Sequence, residues 1–272
     1  MRKFSAKYNL KGKTSIVIGG LGLIGWSITE SLIYSGSKVF IIDKDEKKWN
    51  IKKKQTKVKN KKIRFFKLDV SDLENLEKNF LSIVDNIKKF HILVNASYPF
   101  TDDYAYNTFA DINFKSLRMN VDIHMNSYSW IARLSANYFK KNKLHGNILQ
   151  LGSIYGIVAQ NLNIYDGTDM KENMSYALAK GGITNLTRLM ASYYGKYNIR
   201  INTIAPGGIK GHVANSAKKQ NNIFVKNYSK QVPLKRLGEA IEVAEAATFL
   251  VSSASSYITG TTLIVDGGWS SI

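Results

Sequence analysis

The chain has 272 residues, 39 Lys and Arg against 20 Asp and Glu (formal charge +19), 44% hydrophobic residues, three prolines and no cysteine. Disulfides and cysteine-ligated zinc are excluded, as are the compositions of disordered and fibrous chains. No apolar run reaches the roughly 18 residues that span a bilayer. The basic start Met1-Arg2-Lys3-Phe4 is not followed by an apolar segment of signal-peptide type. A globular, cytoplasmic protein with no membrane attachment and no metal is the expectation.

In chain order, the apolar run Thr14–Ile18 predicts a first strand, and Ile24, Ile28, Leu32 and Ile33 recur at helical spacing. Between them lies Ile18-Gly19-Gly20-Leu21-Gly22-Leu23-Ile24-Gly25. Glycines there let the backbone turn sharply and approach a pyrophosphate, which the unpaired N–H groups of the following helix attract. Glycine-rich turns of this kind also occur without a ligand.

A second strand over Lys38–Ile42 is followed by Asp43, the right distance beyond the glycines for a carboxylate to hydrogen-bond adenosine ribose hydroxyls. A carboxylate repels a 2′-phosphate, and Gly19–Gly25 holds no Arg or Lys, so NAD is favoured over NADP. Many lysines fall between Lys44 and Lys62, where aromatic residues are scarce. Single-stranded nucleic acid needs interleaved aromatic platforms, so the run reads as a solvated face and a nucleic-acid partner is disfavoured.

A third strand, Ile63–Lys67, leads to Asp69 and Val70, then to Ser71-Asp72 as a helix N-cap, leaving Asp69 free to face an adenine amino group. The fourth, Ile92–Asn95, ends in Asn95-Ala96-Ser97-Tyr98-Pro99, a turn-forming set. Phe109 to Lys141 reads as helix, with Asn120 inside it either carrying out a polar task or tolerated at the surface. The fifth strand, Asn147–Leu151, ends in Gly152-Ser153-Ile154-Tyr155-Gly156. The next helix places Tyr176 and Lys180 on one face, close enough for the ammonium to favour a phenolate, although this spacing is also common on surface helices.

Strands at Arg200–Ile204 and Thr262–Val265 complete an alternation of short strands and helices. Such alternation requires crossover connections. The fold class is therefore α/β: one domain over residues 1–272, a doubly wound Rossmann-type parallel sheet of about seven strands with helices on both faces.

Taken together, Gly19-Gly20-Leu21-Gly22-Leu23-Ile24-Gly25, Asp43, Asp69-Val70, Asn95-Ala96, Asn120, Ser153, Tyr176-x-x-x-Lys180, Pro206-Gly207-Gly208 and Asp266-Gly267-Gly268 resemble the single-domain branch of the short-chain dehydrogenase/reductases over essentially the whole chain. The resemblance implies an oxidoreductase that moves a hydride between nicotinamide and a secondary alcohol or ketone. It implies that Tyr176 exchanges a proton with the substrate oxygen, Lys180 binds the nicotinamide ribose and lowers the tyrosine pKa, Ser153 orients the oxygen, and Asn120 holds a water linking the lysine to solvent. It places the cofactor on Gly19, Gly22, Leu23, Ile24, Gly25, Asp43, Asp69, Val70, Asn95, Ala96, Tyr176, Lys180, Pro206, Gly207, Gly208 and Ile209. It implies a homo-oligomer, tetramer or dimer, through Leu117–Lys140 and Tyr176–Tyr194.

Three features depart from the family pattern. Ile18 stands where a threonine is usual and Gly22 comes one position early. The common Asn-Asn-Ala-Gly is shortened to Asn95-Ala96-Ser97-Tyr98. Ser153 and Tyr176 are separated by roughly ten extra residues, enough for an active-site loop near 157–174. That loop is dense in groups that bond to hydroxyls, and it looks similar to oxidoreductases of bacterial surface-sugar pathways, including those for flagellin glycans and nonulosonic acids such as legionaminic acid. The expected substrate is a polar or anionic sugar derivative, with a substrate lid near 210–232. Two rivals are a 3-oxoacyl thioester reductase, which Asp43 disfavours, and a non-catalytic dinucleotide-binding regulatory protein, which the intact Tyr176, Lys180 and Ser153 disfavour.

Overall fold

The computed structural model describes residues 8–56, 62–212 and 219–272. The basic start Met1–Phe4, positions 57–61 of the lysine run and positions 213–218 of the expected lid lie outside the described residues.

Seven strands form one wholly parallel sheet in the order β3-β2-β1-β4-β5-β6-β7. They are β1 (Thr14–Ile18), β2 (Lys38–Asp43), β3 (Ile63–Lys67), β4 (Ile92–Asn95), β5 (Asn147–Leu151), β6 (Arg200–Pro206) and β7 (Thr262–Val265). The helices are α1 (Leu23–Tyr34), α2 (Glu46–Gln55), α3 (Leu76–Ile87), α4 (Phe114–Val121), α5 (Ser127–Lys141), α6 (Met174–Tyr194), α7 (Asn222–Gln231) and α8 (Ala240–Val251).

The central strands are apolar at consecutive positions because both faces of the sheet are covered. Ile16, Ile18, Phe40 and Ile42 point into a core closed by α3, α5 and α6 through Phe80, Ile131 and Met190. Val17, Val39 and Ile41 point the other way, onto α1 and α8 through Ile28, Leu32 and Val243. Ile18 is the register partner of both Ile42 and Asn95, so the carboxyl ends of β1, β2 and β4 are level. The strand order reverses between β1 and β4, which opens the crevice in which such sheets bind ligands.

Two local expectations are corrected. The helix expected from Phe109 begins at Phe114, because Thr108 and Asp111 close a turn (Asp111 N to Thr108 Oγ1, 3.1 Å) and Asn113 caps the helix by accepting from Ser116 N at 2.9 Å. It is also interrupted by a π-helical turn at Asp122–Asn126. Ser71-Asp72 does not cap α3. The N-cap is Asn75, whose amide Nδ2 the Asp72 carboxylate accepts at 3.1 Å, while Asp69 accepts from Ser71 N at 2.9 Å and lies 3.8 Å from Lys44 Nζ.

Candidate active site

The glycine turn is built from backbone. Gly19 has φ of 69°, and a Cβ there would stand 2.6 Å from the Ser97 backbone, so the turn lies flat against the end of β4. A methyl on Gly25, in the first turn of α1, would overlap the Gly19 carbonyl oxygen. Gly22 N donates to that oxygen at 3.0 Å and closes the loop. Gly22 is the N-cap of α1, makes no side-chain cap bond, and is followed by no acid in the first turn. The amino end of α1, at Leu23 and Ile24, therefore presents bare N–H groups and a positive dipole at the crevice.

Asp43 ends β2 and accepts from Leu21 N at 3.1 Å and Asp45 N at 3.2 Å, which fixes its carboxylate beside the turn. Across the crevice Asn95 is buried. Its Oδ1 accepts from Ser97 Oγ at 2.8 Å, and its Nδ2 has no protein partner among the described residues. Ala96 N is tied to Ile18 O at 2.9 Å, and Val70 is buried after β3. A cradle that any Cβ would fill, a bare helix end and an orphaned buried amide fit a dinucleotide diphosphate and its flanking rings.

The chemistry-bearing side chains meet at the carboxyl end of β5. Ser153 is the second residue beyond that strand and is buried. Asn173 caps α6, its Oδ1 accepting from Tyr176 N at 2.8 Å and Ser175 Oγ at 2.9 Å, so Tyr176 is set in the first turn facing Ser153. Burial raises the Tyr176 pKa, and the hydrogen-bonding Ser153 hydroxyl opposes that rise. Lys180, only 2% exposed, donates to Leu151 O at 2.8 Å, with its Nζ 5.7 Å from the centre of the Tyr176 ring. Burial brings its pKa down to about 7, so the ammonium exchanges a proton near neutral pH.

Asn120 is brought beside this group but its amide is committed elsewhere. Its Oδ1 accepts from Thr101 N at 3.0 Å, and Nδ2 donates to Thr101 Oγ1 at 2.7 Å and Ser116 O at 3.0 Å. The side chain thus ties α4 to the segment after β4, and none of these bonds reaches Lys180. Pro206 closes β6. Gly207 N donates to Val265 O at 2.9 Å, Gly208 N to the Tyr228 hydroxyl at 2.6 Å, and Ile209 bridges to Gly238.

Sequence reasoning missed two contributors. Tyr98, in the shortened loop, stands edge-on to Tyr176 with centroids 5.8 Å apart and shares a 2.8 Å hydroxyl bond with Tyr104. His124 is buried in the π-helical turn, 5.3 Å from Tyr98 and 6.3 Å from Tyr176 between ring centroids. Burial first, and the Lys180 charge second, hold its pKa well below the usual histidine value. Its position four after Asn120 is the one sequence signal that places it on the same face.

No helix of the described residues is long and apolar enough to cross a membrane. The family model described as Enoyl-(Acyl carrier protein) reductase matches residues 22–270. The chain is 28% identical over 261 residues to post-translational flagellin modification protein A of Campylobacter coli, covering 96% of this chain and 99% of that one. It is 26% identical over 275 residues to a ribulose-forming D-arabinitol 2-dehydrogenase of Scheffersomyces stipitis, covering 96% and 95%. A short-chain dehydrogenase of Leptospira borgpetersenii, crystallised with bound NAD+, superimposes with a TM-score of 0.81 at 27% identity, covering 99% of this chain and 96% of that one. With the parallel sheet, the glycine cradle and the serine, tyrosine and lysine gathered beside it, these matches establish that the chain belongs to the short-chain dehydrogenase/reductase family of oxidoreductases acting on CH–OH groups.

Proposed function

We propose that the protein is an NAD-dependent oxidoreductase that interconverts a secondary alcohol and a ketone on a sugar derivative of surface-glycan biosynthesis. The observation that carries this reading is the convergence of Ser153, Tyr176 and Lys180 at the end of β5, next to the glycine turn. Bound NAD supplies the hydride acceptor or donor. The chain supplies the proton chemistry: the Tyr176 oxygen gives a proton to the carbonyl oxygen during reduction and takes it back from the hydroxyl during oxidation. Ser153 holds the substrate oxygen in line with the phenol. Lys180, when protonated, offsets the charge that burial otherwise keeps off Tyr176.

The cofactor side is assigned to Gly19, Gly22, Leu23, Ile24, Gly25, Asp43, Asp69, Val70, Asn95, Ala96 and Pro206–Ile209. Asp43 supports NAD over NADP, because its carboxylate sits against the turn through Leu21 N. Asn120 acts by positioning, holding the segment after β4 in place. The polar loop 157–173 supports a hydroxylated substrate, and relatives named for flagellin modification and for arabinitol oxidation agree with it. We further assign the chain to one domain in the cytoplasm, with α7 in its lid, working as a homo-oligomer.

Dinucleotide absorbance tests this, with D-arabinitol, D-glucose and nucleotide hexoses each offered with NAD+ and NADP+. A polyol or sugar is expected to be oxidised with NAD+ preferred, and Tyr176→Phe to lower kcat by about 10²- to 10⁴-fold while dinucleotide affinity stays unchanged. Turnover of acetoacetyl thioesters with NADPH, and of no sugar, would transfer the assignment to acyl reduction.

A further inference from the structure

Among the described residues four rings meet Tyr98, and all of them stand steeply to it. Between centroids, Phe100 is at 5.4 Å and 67°, Tyr104 at 6.0 Å and 86°, His124 at 5.3 Å and 81°, and Tyr176 at 5.8 Å and 83°. Edge-to-face contacts fix direction as well as distance, because the positive rim of one ring seeks the negative face of the next. The hydroxyl is fixed too. It shares its 2.8 Å bond with the Tyr104 hydroxyl, and the Tyr104 ring is stacked on Phe100 at 5.1 Å. Tyr104 is in turn joined to the helix that carries Tyr176: its carbonyl accepts from Asn173 Nδ2 at 2.9 Å, and Asn173 Oδ1 accepts from Tyr176 N at 2.8 Å. From Tyr98 the connections therefore run through Tyr104 and Asn173 to Tyr176, and return across the ring contact. Asn120 holds the same segment to α4 at Thr101.

The circuit closes beside Lys180. The Lys180 Nζ lies 5.2 Å from the centre of the Tyr128 ring, 5.7 Å from that of Tyr176 and 6.0 Å from that of Tyr98, and it donates to Leu151 O. Among the described residues no carboxylate pairs with it. His124 packs against the same three rings, 5.5 Å from Tyr128 and 6.3 Å from Tyr176, and is held neutral, so it adds no second charge. The three rings around the ammonium are not equivalent. Tyr128 is wholly buried, with its hydroxyl on Ser97 O at 2.7 Å, and belongs to the core. Tyr176 carries the proton chemistry. Tyr98 keeps part of its surface exposed and is committed to neither task.

We infer that Tyr98 is a positioning residue of the reaction: its tethered ring screens the Lys180 ammonium and the Tyr176 phenol from water and holds the phenol at one angle to the substrate oxygen. The inference rests on the oxidoreductase reading and deepens it by adding a residue that acts through Tyr176 and Lys180. The attraction of an ammonium for a ring face is small beside the cost of taking that ammonium out of water. Loss of the ring at 98 is therefore felt as readmitted water. Water beside Lys180 lets it keep its proton to higher pH, and at the same time weakens the support that its charge gives to a phenolate.

The test is the titration of Lys180, followed by NMR of protein isotopically labelled at the lysine Cε, with the Lys180 signal identified by its loss in Lys180→Met. Wild type is expected to titrate at about 7. Tyr98→Ala moves that midpoint up by about one pH unit or more, and Tyr98→Phe, which keeps the ring, restores it. Tyr104→Ala frees the ring at 98 from its hydroxyl tether and moves the midpoint in the same direction by less. A purely structural role would leave the midpoint in place in every folded variant. An unchanged or lower midpoint in Tyr98→Ala overturns the inference, as does a wild-type Lys180 that titrates with the surface lysines. If Tyr98→Ala does not fold, Tyr104→Ala decides by the same criterion. With the best alcohol from the dinucleotide screen, Tyr98→Ala is expected to lower kcat about tenfold to a hundredfold with KM little changed, and Tyr98→Phe to recover most of the loss. An unchanged kcat in Tyr98→Ala also overturns the inference. The titration needs no substrate and so separates the two readings: if wild type oxidises no alcohol, the oxidoreductase assignment fails, while a raised midpoint in Tyr98→Ala still supports the screening role.

Discussion

The two walls of the crevice are made in different ways. The wall at β1, α1 and β2 is backbone: Gly19 against Ser97, Gly25 against Gly19, and Leu21 N on Asp43, all placed by the level ends of three paired strands. The wall at loop 157–173 and α7 is side chain: Asn227 on the loop carbonyls, Tyr165 on Phe224, and Ile164 in a small apolar cluster away from the sheet. A backbone wall tolerates almost no variation, because close approach excludes every Cβ, whereas a side-chain wall can be rebuilt with other residues. Within one fold, the first wall suits an invariant cofactor and the second a changeable substrate.

This contrast is open to direct challenge by substitution. The largest effect is expected at the backbone wall. Gly25→Ala puts a methyl onto the Gly19 carbonyl oxygen with only main chain to give way, which should cost about 3 kcal/mol or more and abolish dinucleotide binding. Denaturant midpoints and a dinucleotide titration would measure it. A stable variant that still binds would mean that the turn is not held by close approach.

Lys180, on the seam between the walls, should give the next largest effect, with the opposite sign. Burial lowers its pKa from 10.5 to about 7, so between those values the unfolded chain binds more protons than the folded one and stability rises with pH. Below about pH 7 the buried charge carries its full penalty, on the order of 5 kcal/mol from the shift itself. Lys180→Met removes that penalty but leaves Leu151 O without its donor, a loss of about 1–3 kcal/mol. Net stabilisation is therefore expected at pH 6, disappearing or reversing by about pH 10. Equal urea midpoint shifts at both pH values would contradict the burial argument.

The sequence was informative where geometry excludes alternatives. All seven strands were legible because consecutive β-branched and aromatic residues are needed when both sheet faces are covered, and only the last residues of β2 and β6 were missed. The glycine turn, Asp43 and the Tyr176–Lys180 pair were visible as spacings along one or two elements, but it was the resemblance of the whole set of motifs that assigned them to one site. The start of α4 was not legible, since the Thr108–Asp111 turn and the Asn113 cap compete locally with an otherwise helical pattern. Nor was the contact of Tyr98 with Tyr176, because the two rings meet only through the fold. The side-chain bonds of Asn120 to Thr101 and Ser116, which tie α4 to the segment after β4, are likewise not disclosed by spacing along the chain.

The smallest expected effect is the most discriminating. Asn227 is the hydrogen-bonding tie between α7 and the loop tip, and Asn227→Ala removes a hydrogen bond of about 1 kcal/mol without touching the sheet or either large core. If the substrate wall is an independent side-chain assembly, the loss should remain local. Amide exchange at Thr168, whose N–H is bonded to Tyr165 O, should quicken about fivefold, while exchange at Gly22, whose N–H is bonded to Gly19 O, stays as in wild type. Parallel loss of protection at both amides would mean that the two walls open as one cooperative unit. The division between a fixed cofactor wall and an adjustable substrate wall would then describe how they are built, and not how they move.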